Sequence, residues 1–193
     1  MPNVGVNVTV FKLDLSPDDV KAIRSRFRRA TLFGGPCLIL SRDSGLALDS
    51  TGEPTVGMQP LLWTTHGLPW QQWNLRRARR GKVKIFSGVG NLALTALSQP
   101  HDWSPVTLRN EDAHGAQEWR LRPTEDGAAF LIEHGTTDHA LDAGQEAENL
   151  RQPHLWSTHW ATWQQWIVCR LPFPTRSFRN ARSSSVRSPS FLE

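Results

Sequence analysis

The stretch DSTGEPTVGMQPLLWTTHGLPWQQW (residues 49–73) returns as DAGQEAENLRQPHLWSTHWATWQQW (residues 142–166), identical at twelve of 25 positions without a gap. Between them, Gln117-Glu118-Trp119 stands 46 residues after Gln71-Gln72-Trp73 and 47 before Gln164-Gln165-Trp166. A second motif keeps the same spacing: Leu46-Ala47-Leu48-Asp49, Leu92-Ala93-Leu94-Thr95 and His139-Ala140-Leu141-Asp142. Self-similarity at a fixed period marks a chain built from equivalent units. This is an internal triplication whose outer two copies resemble each other most.

Each copy carries four short apolar runs: CLIL, LALD, LLW and QQWNL in the first; VKIF, NLALT, VTL and QEWRL in the second; AFLIE, HALD, HLW and QQWIV in the third. Short runs separated by Gly, Pro, Asp and Ser read as the strands of an all-β barrel or sandwich. Read as strand residues, Gln and Trp two apart face the same side. One indole per copy, Trp73, Trp119 and Trp166, then aims at a common axis and fills the interior. Three four-strand units closing around a pseudo-threefold axis make a β-trefoil over residues 35–172, with repeats of ~46 residues at about 37–82, 83–129 and 130–172.

The flanks differ from this middle. Of the net charge of +4, residues 1–34 contribute +3, residues 35–172 contribute −2 and residues 173–193 contribute +3. The basicity sits at the ends, so no nucleic-acid-binding core is expected. In residues 1–34, VNVTVFKLDL alternates as a half-buried strand. Ser16-Pro17-Asp18-Asp19 then has the chemistry of a helix start. Val20, Ile23 and Phe27 form a narrow apolar stripe on an otherwise basic helix, suited to docking on the main domain, to lying on a membrane surface or to recruiting a protein partner. Residues 173–193, rich in Ser, Arg and Pro, read as a disordered tail. No run has the ~18–20 apolar residues of a membrane span, so no membrane insertion is expected. The first residues lack a secretory pattern, and a cytoplasmic location is the expectation.

The three Gln-x-Trp signatures, the Leu-Ala-Leu-Asp strand and the Leu-Trp strand after it (Leu62-Trp63, Leu155-Trp156) resemble the ricin-type β-trefoil lectin family over roughly residues 35–172. The resemblance implies a carbohydrate-binding module without enzymatic activity. In the family each copy holds a shallow site made from an Asp ending the second strand, an aromatic about fourteen residues on, and polar groups at Gln-x-Trp. Asp49, Trp63 and Gln71 supply these in copy one; Asp142, Trp156 and Gln164 supply them in copy three, with His154 as an additional donor or acceptor. Galactose-type or related sugars are the implied ligands. Copy two has Thr95 and Arg109 in place of the Asp and the Trp, and is expected to be silent. The residue before Gln-x-Trp, commonly Asn in the family, is Trp70 and Trp163 here. These indoles either wall the pocket or pack on neighbouring loops and narrow it.

Each site residue has a structural alternative. Gln117 persists in the copy expected to be silent, so a structural hydrogen bond explains all three Gln as well as a ligand contact does. Asp49 and Asp142 suit turn caps, and as sugar contacts they would lie near the barrel surface. The rival function is a protein-interaction trefoil, an adaptor or inhibitor with vestigial pockets. No catalytic residue, metal or cofactor is called for: equivalent residues of different copies lie about 120° apart around the axis, too far to share an ion or cleave a glycoside. Cys37 and Cys169 fall on neighbouring strands, as a disulfide or, more in keeping with a cytoplasmic chain, as thiols.

Overall fold

The computed structural model describes residues 32–113 and 115–171. The strand and helix read for the first segment, up to residue 31, and the tail read for 173–193 lie outside the described residues. Copy one comprises β1 (Pro36–Ser41), β2 (Ala47–Asp49), β3 (Leu61–Trp63) and β4 (Trp73–Arg77). Copy two has β5 (Val83–Ser87), β6 (Ala93–Thr95), a two-residue β7 (Ser104–Pro105), β8 (Thr107–Arg109) and β9 (Trp119–Pro123). Copy three has β10 (Phe130–His134), β11 (His139–Asp142), β12 (His154–Ser157) and β13 (Gln165–Arg170).

The first and last strands of the copies pair antiparallel in a closed ring, β1–β4–β5–β9–β10–β13 and back to β1. The hairpins β2–β3, β6–β8 and β11–β12 stand at one end of that ring. The architecture is a β-trefoil. Closure removes the exposed strand edges that invite aggregation.

Alternation along the ring strands sends Ile39, Leu75, Ile85, Leu121, Ile132 and Val168 into one core, with the fully buried Trp73, Trp119 and Trp166. The hairpins add equivalent leucines to the same core: Leu48, Leu94 and Leu141 from the second strands, Leu62, Leu108 and Leu155 from the third. Each core indole N–H is satisfied by a carbonyl 25 residues upstream: Trp73 Nε1 donates to Leu48 O at 2.8 Å, Trp119 to Leu94 O and Trp166 to Leu141 O, both at 2.9 Å. The hairpins are thereby bonded to the barrel as well as packed on it.

The copies also interlock head to tail. The N–H of Gly57 in copy one donates to Leu108 O in copy two at 2.7 Å. Trp103 in copy two donates to Leu155 O in copy three, and Leu150 in copy three donates to Leu62 O in copy one, each at 2.9 Å. Each long loop therefore lies against the third strand of the next copy.

Cys37 and Cys169 do sit on paired strands, but Cys37 is opposite Arg170 and Cys169 is opposite Leu38. A one-residue offset turns two side chains to opposite faces of a sheet. Cys37 points into the core, donates to Trp73 O at 3.3 Å, and has its pKa pushed up to about 12 by burial. Cys169 is exposed, and both thiols are free.

Replacing Trp119 with Ala should cost about 3–5 kcal/mol, measured by urea unfolding, although copy two lacks the Asp and the platform indole. Buried His134 leaves Nε2 without a partner among the described residues, and burial holds its pKa below the ordinary histidine range. The unfolded chain binds that proton near pH 6.5 while the native state does not, so stability should fall as pH drops from 7 towards 5. His134→Gln should make this pH dependence shallower.

Candidate functional site

The residue after each Trp-bonded carbonyl ends the second strand: Asp49, Thr95 or Asp142. In copy one, Asp49 Oδ1 accepts the Thr51 N–H at 2.7 Å and Oδ2 accepts Gln71 Nε2 at 3.1 Å. Gln71 also donates to Thr64 O at 3.1 Å, while its oxygen accepts the N–H groups of His66 and Gly67 at 2.8 and 3.0 Å. His66 Nδ1 lies 3.1 Å from the Leu68 N–H, and its Nε2 accepts the Trp70 indole N–H at 3.2 Å. That Nε2 lies 3.6 Å from Asp49 Oδ2.

Copy three repeats this arrangement. Asp142 accepts the Gly144 N–H at 2.6 Å and Gln164 Nε2 at 3.0 Å. Gln164 donates to Ser157 O and accepts the His159 N–H, whose Nε2 lies 3.5 Å from Asp142 Oδ2. In copy two, Gln117 keeps its place, donating to Thr95 Oγ1 at 3.2 Å and Asn110 O at 2.8 Å and accepting the Asp112 N–H at 2.9 Å. Asp112 there occupies the position of His66 and His159.

This geometry corrects several expectations. Gln71, Gln117 and Gln164 do not lie on strands; each ends a 3-10 turn (Pro69–Gln71, Gly115–Gln117, Thr162–Gln164) and is fully buried. All four hydrogen-bonding positions of the Gln71 amide are occupied within the protein. Gln164 is buried alike and makes three of these four bonds. Asp49 and Asp142, expected near the surface, are each only 3% exposed because loop N–H groups and the Gln amides surround them. They cap their turns, and little of either carboxylate is left to solvent. His154 is 8% exposed and lies under the indole of Trp103, ring centroids 4.4 Å apart, so it supports an aromatic surface and does not reach out as a donor.

Trp63 is 36% exposed on β3 and Trp156 is half-buried on β12, where platforms were expected. Trp70 and Trp163 pack on their surroundings. Trp70 meets His66 edge-on at 5.6 Å, Trp163 meets His159 at 5.7 Å, and Trp163 also rests on the core. In copy two the corresponding residue is Ala116, which leaves a cavity of about 380 Å³ bordered by Thr95, Arg109 and Asp112. Among the described residues no group of three or more His, Cys, Asp or Glu could hold a metal ion.

Two features escaped the sequence reading. His66 and His159 complete the carboxylate networks, and Thr-His did recur in the outer copies. Trp103 joins copy three from copy two; the repeat register, which aligns it with Gly57 and Leu150, was the available signal.

The sequence matches the family described as ricin-type beta-trefoil lectin domain over residues 36–166. Similar solved structures include the designed 3-fold symmetric protein ThreeFoil, at 23% identity and TM-score 0.68 over 72% of this chain and 100% of that one. The Macrolepiota procera ricin B-like lectin, solved with lactose, has 21% identity and TM-score 0.63 over 72% and 97%. The C-terminal half of the earthworm R-type lectin, solved with GalNAc, has 19% identity and TM-score 0.55 over 72% and 100%. At these identities the likeness is one of fold. No curated protein matches the sequence.

Asp49→Ala should cost about 1–3 kcal/mol, because it strands the Thr51 N–H and one Gln71 donor in a buried site. Thr95→Ala should cost less, since it orphans one donor only. Urea unfolding of the two variants checks the order.

Proposed function

Since the chain belongs to the ricin-type β-trefoil lectin family, we propose that it binds carbohydrate without catalysing a reaction, through shallow sites in copies one and three. The observation that carries this reading is the Asp–Gln–His network, held the same way in both outer copies beside a third-strand indole. A pyranose offers vicinal hydroxyls to a carboxylate edge and an imidazole, and a C–H face to an indole. Asp49, His66 and Trp63 provide these in the first site; Asp142, His159 and Trp156 provide them in the second. Gln71 and Gln164 hold the acceptors in place. Copy two lacks both the buried carboxylate and the indole, and is silent in this reading.

A single shallow site of this kind binds at about millimolar, near −4 kcal/mol. Two sites held rigidly apart on one multivalent glycan raise avidity by about a hundredfold. Galactose-type sugars are the first probes, given the lactose and GalNAc bound by the two lectins of similar fold. The burial of Asp49 and Asp142 among internal partners favours a second reading, a protein-interaction trefoil with vestigial pockets.

A glycan array followed by NMR titration of the indole N–H signals tests the choice. Trp63→Ala and Trp156→Ala should each remove one of two binding events, and Arg109→Ala should remove none. Silence across the array and in titrations with galactose and lactose would sink the lectin reading.

A further inference from the structure

The loop between β6 and β8 carries a tryptophan where glycine would be the easier residue. Trp103 has φ +69°, in the left-handed region that bulky side chains avoid. It is also 64% exposed, so burial returns little for the strain. A strained, exposed aromatic calls for a functional explanation.

Its surroundings are built to hold it. The buried His154 ring stacks beneath the indole at 4.4 Å with 23° between planes. Asp102 accepts the Ser157 N–H at 2.6 Å and the Ser157 hydroxyl at 2.8 Å, and Ser104–Pro105 pairs with β12. The loop of copy two is thus fastened along the third strand of copy three. There the Trp103 indole meets Trp156 at 4.8 Å with 88° between the rings. Two indoles at right angles make an aromatic corner rimmed by Asp102 and Ser157. The equivalent residue beside Trp63 is Leu150, at φ +73° and 65% exposed, and the one beside copy two is Gly57.

We infer that Trp103, set at right angles to Trp156, forms an extended subsite in copy three that takes the second ring of an oligosaccharide whose terminal ring lies at Asp142 and Trp156. This rests on the lectin reading above. One pyranose covers one indole face, and a glycosidic turn presents the next ring to the perpendicular wall. Copy one, with Leu150, has a monosaccharide site only. The two sites then differ in ligand length, and copy two contributes to recognition through the neighbour it overhangs.

The full chain, labelled with nitrogen-15 and with its indole signals assigned by substitution, is titrated with two matched pairs: galactose and lactose, N-acetylglucosamine and its β1,4-linked dimer. For a pair that binds, copy three should prefer the disaccharide by about fivefold or more. The Trp103 signal should move with the disaccharide and stay still with the monosaccharide. Trp103→Ala and Trp103→Leu, the latter copying Leu150, should abolish that preference while leaving monosaccharide binding and copy one unchanged. Leu150→Trp should confer the preference on copy one. Equal preference in the Trp103 variants and the parent, or a Trp103 signal unmoved while Trp156 shifts, overturns the subsite alone. If neither Trp63 nor Trp156 responds to any of the four probes, the lectin reading falls and the subsite with it.

Discussion

Each core tryptophan donates its indole N–H to the carbonyl just before the site position of its own copy. That bond couples two demands that would otherwise compete. The indole has to be buried for the barrel to be filled, and a buried N–H needs an acceptor. The second strand supplies one, and so its last residue is fixed at a constant place relative to the barrel. Two residues earlier, the glutamine ending the 3-10 turn reaches that same residue's side chain. Packing and the geometry of the candidate site thus come from two short segments of each copy, Gln-x-Trp and the end of the second strand.

Sharing one framework lets the copies diverge where the barrel is indifferent. Copy two keeps its indole bond and its glutamine, yet holds a hydroxyl where the others hold a carboxylate, an arginine where they hold an indole, and an alanine where they hold a second tryptophan. None of these changes disturbs the strand pairing. The glutamine has a structural reason to persist in every copy, since it ties the turn, the second strand and the following loop together. The carboxylate has none of that generality, and it appears only where a histidine stands ready to face it.

The fold was legible because its signals are periodic. A spacing of 46 and 47 residues, period-two alternation along the strands and one tryptophan per unit reveal three copies around an axis. The residues of the candidate site were legible as a recurring set, but their exposure was not. Whether Asp49 lies open or sealed depends on where the N–H of Thr51 and the Gln71 amide point, and those directions are set by loop backbone that no periodicity encodes. The glutamines were read with strand geometry, whereas the chain makes a 3-10 turn there and enters the strand only afterwards. Trp103 was hidden for another reason: its partners His154 and Trp156 belong to the next copy, and only the interlocking of the loops brings them together.

The pairing of β1 with β13 has a consequence for how the chain is made. Cys37 lies opposite Arg170, so the ring cannot shut until the last strand is available. During synthesis the earlier strands must wait with an open sheet edge on each side, while the ribosome adds the final copy. Contacts of such long sequence separation are slow to form. The three copies carry similar strands, and each early one could pair with the wrong neighbour. Differences such as Thr95 and Arg109 in copy two, against Asp49 and Trp63 or Asp142 and Trp156, are what distinguishes one copy's strands from another's before the barrel closes.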